Sequence, residues 1–483
     1  MINLQDNAAR PAGCCRAEEK KPFSITAREL AARGKDQIPD AFIPNCHLIY
    51  SSPETLAYNS PGAIGFGTKR AGLVIPESVM LLVSPSCCGR NSTILSQTEG
   101  YAERMFYLLQ SETDLVTGRH LKKIPEAIRE ILQVCDPKPR VVLICITCTD
   151  ALLGTDLERI CRKAQEETGV LVVPSYMYAL EREGTKPPMV AIRQTIYSLL
   201  ERRTVQPDMV NLMGFFSPLD PDSELFSLLD KAGIHTINQV SRMRTLEEYG
   251  AMGAANFNLV LDPLSRYAAE DLRKRLHMPY VELARLYDPD RIHHQYRLFG
   301  AALGIDMDDR EMYEKASERR AAFIEKHRGK RFAVGEMGNA NPFELAGTLA
   351  RMGMDVPMVV SNLTEADFPY IRQLAEISPE TRIYTGISPS MVHFQTPENI
   401  DAAIGKDAAA YCPDAAGVEW NSEKQPYGHR GVIDLLDALD TALEKKARGT
   451  AHRADRNEKS FYGSALRGNK AGVRTAQDKQ EEE

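Results

Sequence analysis

The chain lacks any apolar run near the roughly 18 residues needed to span a bilayer, and its opening stretch MINLQDNAARPAGCC lacks the apolar core of a signal peptide. It also lacks a basic excess. The formal net charge is -7 and the pI about 5.9, so composition offers no footprint for nucleic acid or for an anionic membrane surface. No G-x-x-x-x-G-K-[ST] occurs, which excludes a P-loop for ATP within this sequence. These absences point to a cytoplasmic protein whose partners are small molecules and other proteins.

What is present suits a folded, multidomain chain. Of its 483 residues 43% are hydrophobic and 26% charged, and at roughly 100–200 residues per domain that length implies about three linked cores. Ten cysteines stand at 14, 15, 46, 87, 88, 135, 145, 148, 161 and 412. In a reducing compartment clustered cysteines are better read as metal or redox ligands than as disulfides. Seven of the ten fall between Cys46 and Cys161, which concentrates such chemistry in one region.

Strand and helix patterns alternate along the chain with short connections, the signature of doubly wound parallel sheets. The polar segment 1–40 reads as an arm with at most a short helix. Within 41–204, SVMLLVSP (78–85) has the length of a buried strand, a helical stretch is expected from Ile94 to Leu109, and RVVLICIT (140–147) forms a second strand. DLERICRKAQEETG has helical spacing and stops at Gly169, and LVVPSY (171–176) is a third strand. The pattern recurs in 205–325, with MVNLMGFF (209–216), SELFSLLDKAG, HTINQV and NFNLVL, followed by bridging helices over 285–330. It recurs again in 326–446, with RFAVGEMG, FELAGTLARMG, VPMVVS and RIYTG, leaving 447–483 as a disordered tail.

Ligands of parallel sheets bind at the carboxyl ends of the strands. Cys87 and Cys88 follow the first strand in SPSCCGRNS, and Cys148 follows the second in ICITCTDALLGTD. If those strands are neighbours, their thiols emerge on one rim near helix N-termini that favour thiolate, ground suited to a cluster held by cysteine sulfur. Cys145 shares a strand face with Val141 and Leu143 and reads as core. Cys135 and Cys161 fall on helical segments and read as structural, while Cys14, Cys15 and Cys412 are isolated.

The stretch 112–175 closely resembles the alpha and beta subunits of nitrogenase component 1. Asp114 to Gly118 matches an acidic strand-turn of that family, and Thr147-Cys148 through Leu153-Gly154-Thr155-Asp156 matches its cysteine-bearing strand end. SPSCCGRN resembles the Gly-Pro-x-Gly-Cys-Gly segment, placing Cys88 and Gly89 on its Cys-Gly, and VNLMGFFSPLDPDSELFSLLDKAGI and YGHRGVIDLLDAL resemble later parts. The resemblance spans roughly 60–445 and takes in nitrogenase, its cofactor-assembly scaffold and the dark-operative tetrapyrrole reductases. It implies three Rossmann-like domains, pairing with an identical or paralogous subunit, a cluster at the subunit boundary, and electrons from an ATPase iron-sulfur reductase.

Departures from the family refine what the resemblance implies. Counting back by the family's interval from Cys88, the first ligand would fall on Gly62, so Cys46 or Cys87 would have to replace it. Alternatively, Cys88 and Cys148 from each half of a symmetric dimer would supply the four thiolates of a 4Fe-4S cluster, which is favoured over the 8Fe-7S type. Asp262 stands where the family's cofactor-binding cysteine would be, and His429 lies near its histidine region, where a solvated or capping role is an equal reading. Dinitrogen is therefore not the expected substrate. Two other readings stay open: a scaffold or paralogous partner without turnover, and a protein like the CCG-type heterodisulfide reductases, from the order Cys46, Cys87-Cys88-Gly89, Cys145-Ile-Thr-Cys148.

Overall fold

Two continuous apolar runs, Ser78–Ser84 and Val141–Ile146, are buried along their whole length, as strands covered on both faces must be. In the computed structural model, which describes residues 22–43, 71–86, 102–176, 188–394, 396, 399–422 and 424–449, they form the centre of a parallel sheet. With strands numbered in chain order, this first sheet contains β2 (Ser78–Ser84), β3 (Met105–Leu109), β4 (Val141–Ile146) and β5 (Leu171–Tyr176), in the order β3-β2-β4-β5. One face packs Val79, Leu81, Val83, Val142, Ile144 and Ile146 against the helices Arg119–Val134 and Leu157–Thr168. Met80, Leu82, Leu143, Cys145 and Val173 point to the other face, as the two-residue period of a strand requires.

The second sheet uses the same plan. Strands β6 (Gln206–Met213), β7 (Thr236–Gln239), β8 (Ala255–Val260) and β9 (Tyr280–Glu282) are parallel in the order β7-β6-β8-β9. The third contains β10 (Arg331–Gly335), β11 (Asp355–Val360), β12 (Arg382–Tyr384), β13 (Ala402–Ile404) and β14 (Ala416–Val418). Its order is β1-β12-β11-β10-β13-β14, parallel except for the edge strand β1 (Ser24–Thr26), which runs antiparallel to β12. These are three Rossmann-like units, each with a switch point where the strand order reverses: β2/β4, β6/β8 and β10/β13. Among the described residues no helix is long and apolar enough to cross a membrane.

Three local expectations are corrected. Met105–Leu109 is a strand and not the end of a helix. A short apolar run such as MFYLL suits either state, and pairing with Ser78–Ser84 decides it. Glu112–Thr117 is a helix and not a strand-turn: Ser111 and Asp114 form a reciprocal capping box at its start, and Gly118, at φ 65°, ends it in the left-handed conformation. The N-terminal segment contributes more than a short helix. Thr26 and Glu29 cap the helix Ala27–Arg33, whose Ala27 and Leu30 join the core shared by the second and third sheets, and β1 extends the third sheet.

That shared core is locked at one carboxylate. Glu224, at the start of the helix Glu224–Lys231, accepts hydrogen bonds from the backbone N–H groups of His429 (2.6 Å) and Arg430 (3.1 Å) and from the Tyr296 hydroxyl (3.0 Å). It thereby caps the C-terminal helix Gly428–Ala447, which packs along the helix Arg310–His327. Gly428 has φ 70°, and a Cβ there would overlap the Glu224 carboxylate and lie 2.8 Å from the Tyr296 hydroxyl. Gly428→Ala is expected to destabilise the protein by about 2–4 kcal/mol, read as a lowered urea midpoint. An unchanged midpoint would show that this joint does not limit stability.

Candidate metal centre

The chain leaves β4 at Ile146, passes Thr147 and enters the helix Cys148–Leu152, so Cys148 occupies the first turn beyond the strand. In the register of the first sheet Val83 lies opposite Ile146, which makes β2 and β4 neighbours at the switch point. The turn that begins with Cys148 therefore stands beside the strand end that leads, in sequence, to Cys87 and Cys88. Cys46, Cys87 and Cys88 lie outside the described residues, as do Cys14 and Cys15. Among the described residues no group of three or more His, Cys, Asp or Glu side chains is arranged to hold a metal ion.

The remaining cysteines are unsuited to ligation. Cys145 is fully buried between β2 and β5. Burial pushes the Cys161 and Cys412 thiols up to about 12 and also raises that of Cys135, and none of them belongs to a cluster of possible ligands among the described residues.

The turn carrying Cys148 is held by buried polar groups that the sequence reading did not single out. Asp150, fully buried, accepts hydrogen bonds from Gln110 Nε2 (2.8 Å) and Thr155 Oγ1 (3.1 Å) and is 2.8 Å from His120 Nε2. His120 Nδ1 lies 3.0 Å from the carbonyl oxygen of Asp114. Both ring nitrogens thus face oxygen. Asp114 in turn bonds Lys123 Nζ at 2.9 Å, which, with the Ser111 hydroxyl, holds its carboxyl at about 2. His120 therefore ties the helix Glu112–Thr117 to the helix Cys148–Leu152. These neighbouring elements expose apolar side chains: Val116 is 88% accessible, Leu152 70% and Leu153 58%, with Leu109 at the end of β3 at 57%.

Buried hydroxyls without partners gather at the same rim. Ser84 Oγ, Thr147 Oγ1 and Ser175 Oγ have no hydrogen-bond partner, nor do the partly buried Tyr107 hydroxyl and Gln110 Oε1. Ser84, Thr147 and Ser175 are at most 1% accessible. A buried polar group left unpaired costs about 1–3 kcal/mol, and the described residues supply no partner to these atoms.

The other two switch points are already engaged. At the second, Asp262 accepts from Leu264 N (2.8 Å) and pairs with Arg193 (3.1 Å), which also reaches the carbonyl of Gly214. His429 is corrected from a solvated or capping side chain: it is fully buried, with Nε2 2.7 Å from Asp309 Oδ2, whose other oxygen is 2.7 Å from His293 Nδ1. At the third, Asp407 accepts from the backbone N–H groups of Glu336 (2.9 Å) and Met337 (3.2 Å), and Glu336 accepts from Asn362 N (2.7 Å) and Nδ2 (2.9 Å). Burial, and then the Asp407 charge, raises the Glu336 carboxyl to about 8, and burial raises Asp407 to about 6.

A family model described as "Nitrogenase component 1 type Oxidoreductase" matches residues 65–444. The chain is 25% identical over 419 residues to a nitrogenase iron-molybdenum cofactor biosynthesis protein NifE from Sinorhizobium fredii, covering 81% of this chain and 83% of that protein. It is 24% identical over 410 residues to the NifE protein of Nostoc, covering 79% and 84% respectively. A nitrogenase molybdenum-iron protein alpha chain from Methanosarcina barkeri is 25% identical over 179 residues, 35% of this chain and 33% of that one. Among solved structures, "Nitrogenase Cp1 at pH 6.5" superposes with a TM-score of 0.65 at 17% identity, covering 83% of this chain and 95% of that one, a likeness of fold.

The raised Glu336 carboxyl carries a pH dependence of known sign. A carboxyl lifted from 4.5 to about 8 on folding holds its proton more tightly in the folded state, so its contribution is complete below about pH 4.5 and is lost as pH rises through about 8. Glu336→Gln is expected to flatten the fall in melting temperature between pH 5.5 and 8.5 and to raise the value at pH 8.5 by a few degrees. Parallel wild-type and variant profiles would contradict this.

Proposed function

The chain belongs to the nitrogenase component 1 type oxidoreductases, and from that membership we propose that it carries an iron-sulfur cluster at the rim of its first sheet and receives low-potential electrons there from a separate ATPase iron-sulfur reductase. Cys148 and Cys88 are the proposed ligands, Cys87 the next choice and Cys46 a replacement reaching from upstream. The observation that carries this reading is the pairing of β2 with β4, which sets the strand end before Cys87-Cys88 beside the turn that starts with Cys148. The unpartnered hydroxyls at that rim suit an anionic cluster. With two cysteines from each of two subunits, identical or paralogous, the group would be of the 4Fe-4S type, and it would supply one-electron chemistry.

The exposed apolar side chains Val116, Leu152, Leu153 and Leu109, each on or next to an element at this end of the first sheet, support docking of the reductase over this rim. His120 and Asp150 would keep the two helices of that face in fixed relation while a partner binds. The proposal places the protein in the reducing cytoplasm, under anaerobic conditions, with a small-molecule substrate or a metal-sulfur cargo between the three domains. Of those two ends, assembly is favoured by two observations. Two relatives that each cover about four fifths of both chains are described as cofactor biosynthesis proteins, and Asp262 and His429 are bound to Arg193 and Asp309 rather than free to clamp a resident cofactor. A dinitrogen-reducing role is not proposed. Family membership removes the ground for the CCG-type reading.

Anaerobic purification tests the cluster. Cys148→Ala is expected to lose iron, sulfide and visible absorbance while unfolding at nearly the wild-type temperature, whereas Cys161→Ala keeps its iron; equal iron in both variants refutes the assignment. For the docking face, Val116→Asp combined with Leu152→Asp should weaken reductase binding about tenfold or more, roughly 1.4 kcal/mol, at unchanged iron content. Transfer of a bound metal-sulfur cargo to a cofactor-free acceptor protein, without turnover of small substrates, would separate assembly from enzymatic reduction.

A further inference from the structure

Three unpaired hydroxyls, one each from β2, β3 and β5, lie on the same face, and a fourth, that of Thr147, directly follows β4. Met80 and Leu82 of β2, Met105 of β3, Val141, Leu143 and Cys145 of β4, and Val173 of β5 all pack on that side. The two-residue period carries Ser84, Tyr107 and Ser175 to it as well, and the same alternation continued one residue past β4 carries Thr147 there. Leu82 pairs with Tyr107 on one side and with Cys145 on the other, and Cys145 pairs with Ser175. Tyr107 and Ser175 therefore flank one row across the sheet. Since Val83 pairs with Ile146, the next residues, Ser84 and Thr147, stand together at the centre, one step nearer the carboxyl edge. Ser84 is 0% accessible and Thr147 1%, and neither hydroxyl has a partner.

These two positions are tied to the proposed ligands by sequence. Thr147 directly precedes Cys148, and Ser84 lies four residues before Cys88 on the neighbouring strand. The buried acid nearby in sequence, Asp150, is already bonded to Gln110, Thr155 and His120 and has no need of either hydroxyl. We propose that Ser84 and Thr147 form a two-hydroxyl shelf that donates hydrogen bonds to sulfur of the cluster, making them positioning and tuning residues for a group held by the cysteines that follow them. This rests on the cluster reading above. Reduction adds negative charge to a cluster, and donors to its sulfur stabilise that charge, so the shelf raises the reduction potential. In cluster-free protein the same hydroxyls are buried without partners and lower its stability.

The test uses full-length wild type, Thr147→Val, Thr147→Ser and Ser84→Ala, each reconstituted anaerobically with iron and sulfide and titrated by EPR-monitored potentiometry. Thr147→Val and Ser84→Ala are expected to keep wild-type iron content with a more negative midpoint potential, and Thr147→Ser to restore the wild-type value. Cluster-free Thr147→Val should melt higher than cluster-free wild type, a readout independent of any cluster. Full iron with an unchanged potential in Thr147→Val overturns the shelf and leaves the cluster reading intact. Wild type that takes up no iron overturns both. Should Thr147→Val lose its iron, recovery in Thr147→Ser supports the hydroxyl's role, and loss in both variants overturns it.

Discussion

Two wholly buried parallel strands, Ser78–Ser84 and Val141–Ile146, lie side by side in the first sheet, and the position of the Cys148 turn depends on that pairing. Each strand reads as an unbroken apolar run because helices cover one face and a second core covers the other. The reversal of strand order between them opens the sheet at its carboxyl edge. A register slip of one residue would turn Ser84 and Thr147 to the opposite face and carry the Cys148 turn away from its buried support. The apolar interior that fixes the register thus also fixes where polar groups can meet.

Buried carboxylates do the fine positioning. Asp150 holds the Cys148 turn, Glu224 caps the C-terminal helix, Asp309 joins His293 and His429, and Asp407 gathers the loop that follows β10. Removing such a group from water costs several kcal/mol, and the cost is offset only when its oxygens are filled by well-placed donors. Each of these four accepts at least two hydrogen bonds or ion-pair contacts. Deleting a single donor would leave one buried carboxylate oxygen short of a partner, so each junction is specific. The unpaired hydroxyls of the first sheet are the contrast: they are buried polar groups whose partners this chain's described residues do not supply.

Much of the architecture was legible before any coordinates. The runs SVMLLVS, VVLICI and LVVPSY declared buried strands, and Gly169 marked the end of the helix Leu157–Thr168 through its left-handed conformation at φ 73°. Cys145, Cys161 and Cys412 could be set aside from spacing alone, and their burial agrees. MFYLL was misread because five apolar residues carry no period that separates strand from helix, and only the partner strand decides. The strand Ser24–Thr26 was invisible because three residues hold no pattern; its partner is Arg382–Tyr384, far along the chain.

The order of elements, the doubly wound class, the position of Cys148 just past a strand and the family were determined by the sequence itself, since local periodicity and short motifs encode them. The partnership of His120 with Asp150, the engagement of Asp262 by Arg193, the burial of His429 against Asp309 and the alignment of Ser84 with Thr147 were decided only by tertiary structure. Their separations along the chain are large, and no local pattern records which side chains a folded sheet will bring together. The physical reason is that burial and register belong to the whole packed chain, whereas propensity and period belong to a few consecutive residues.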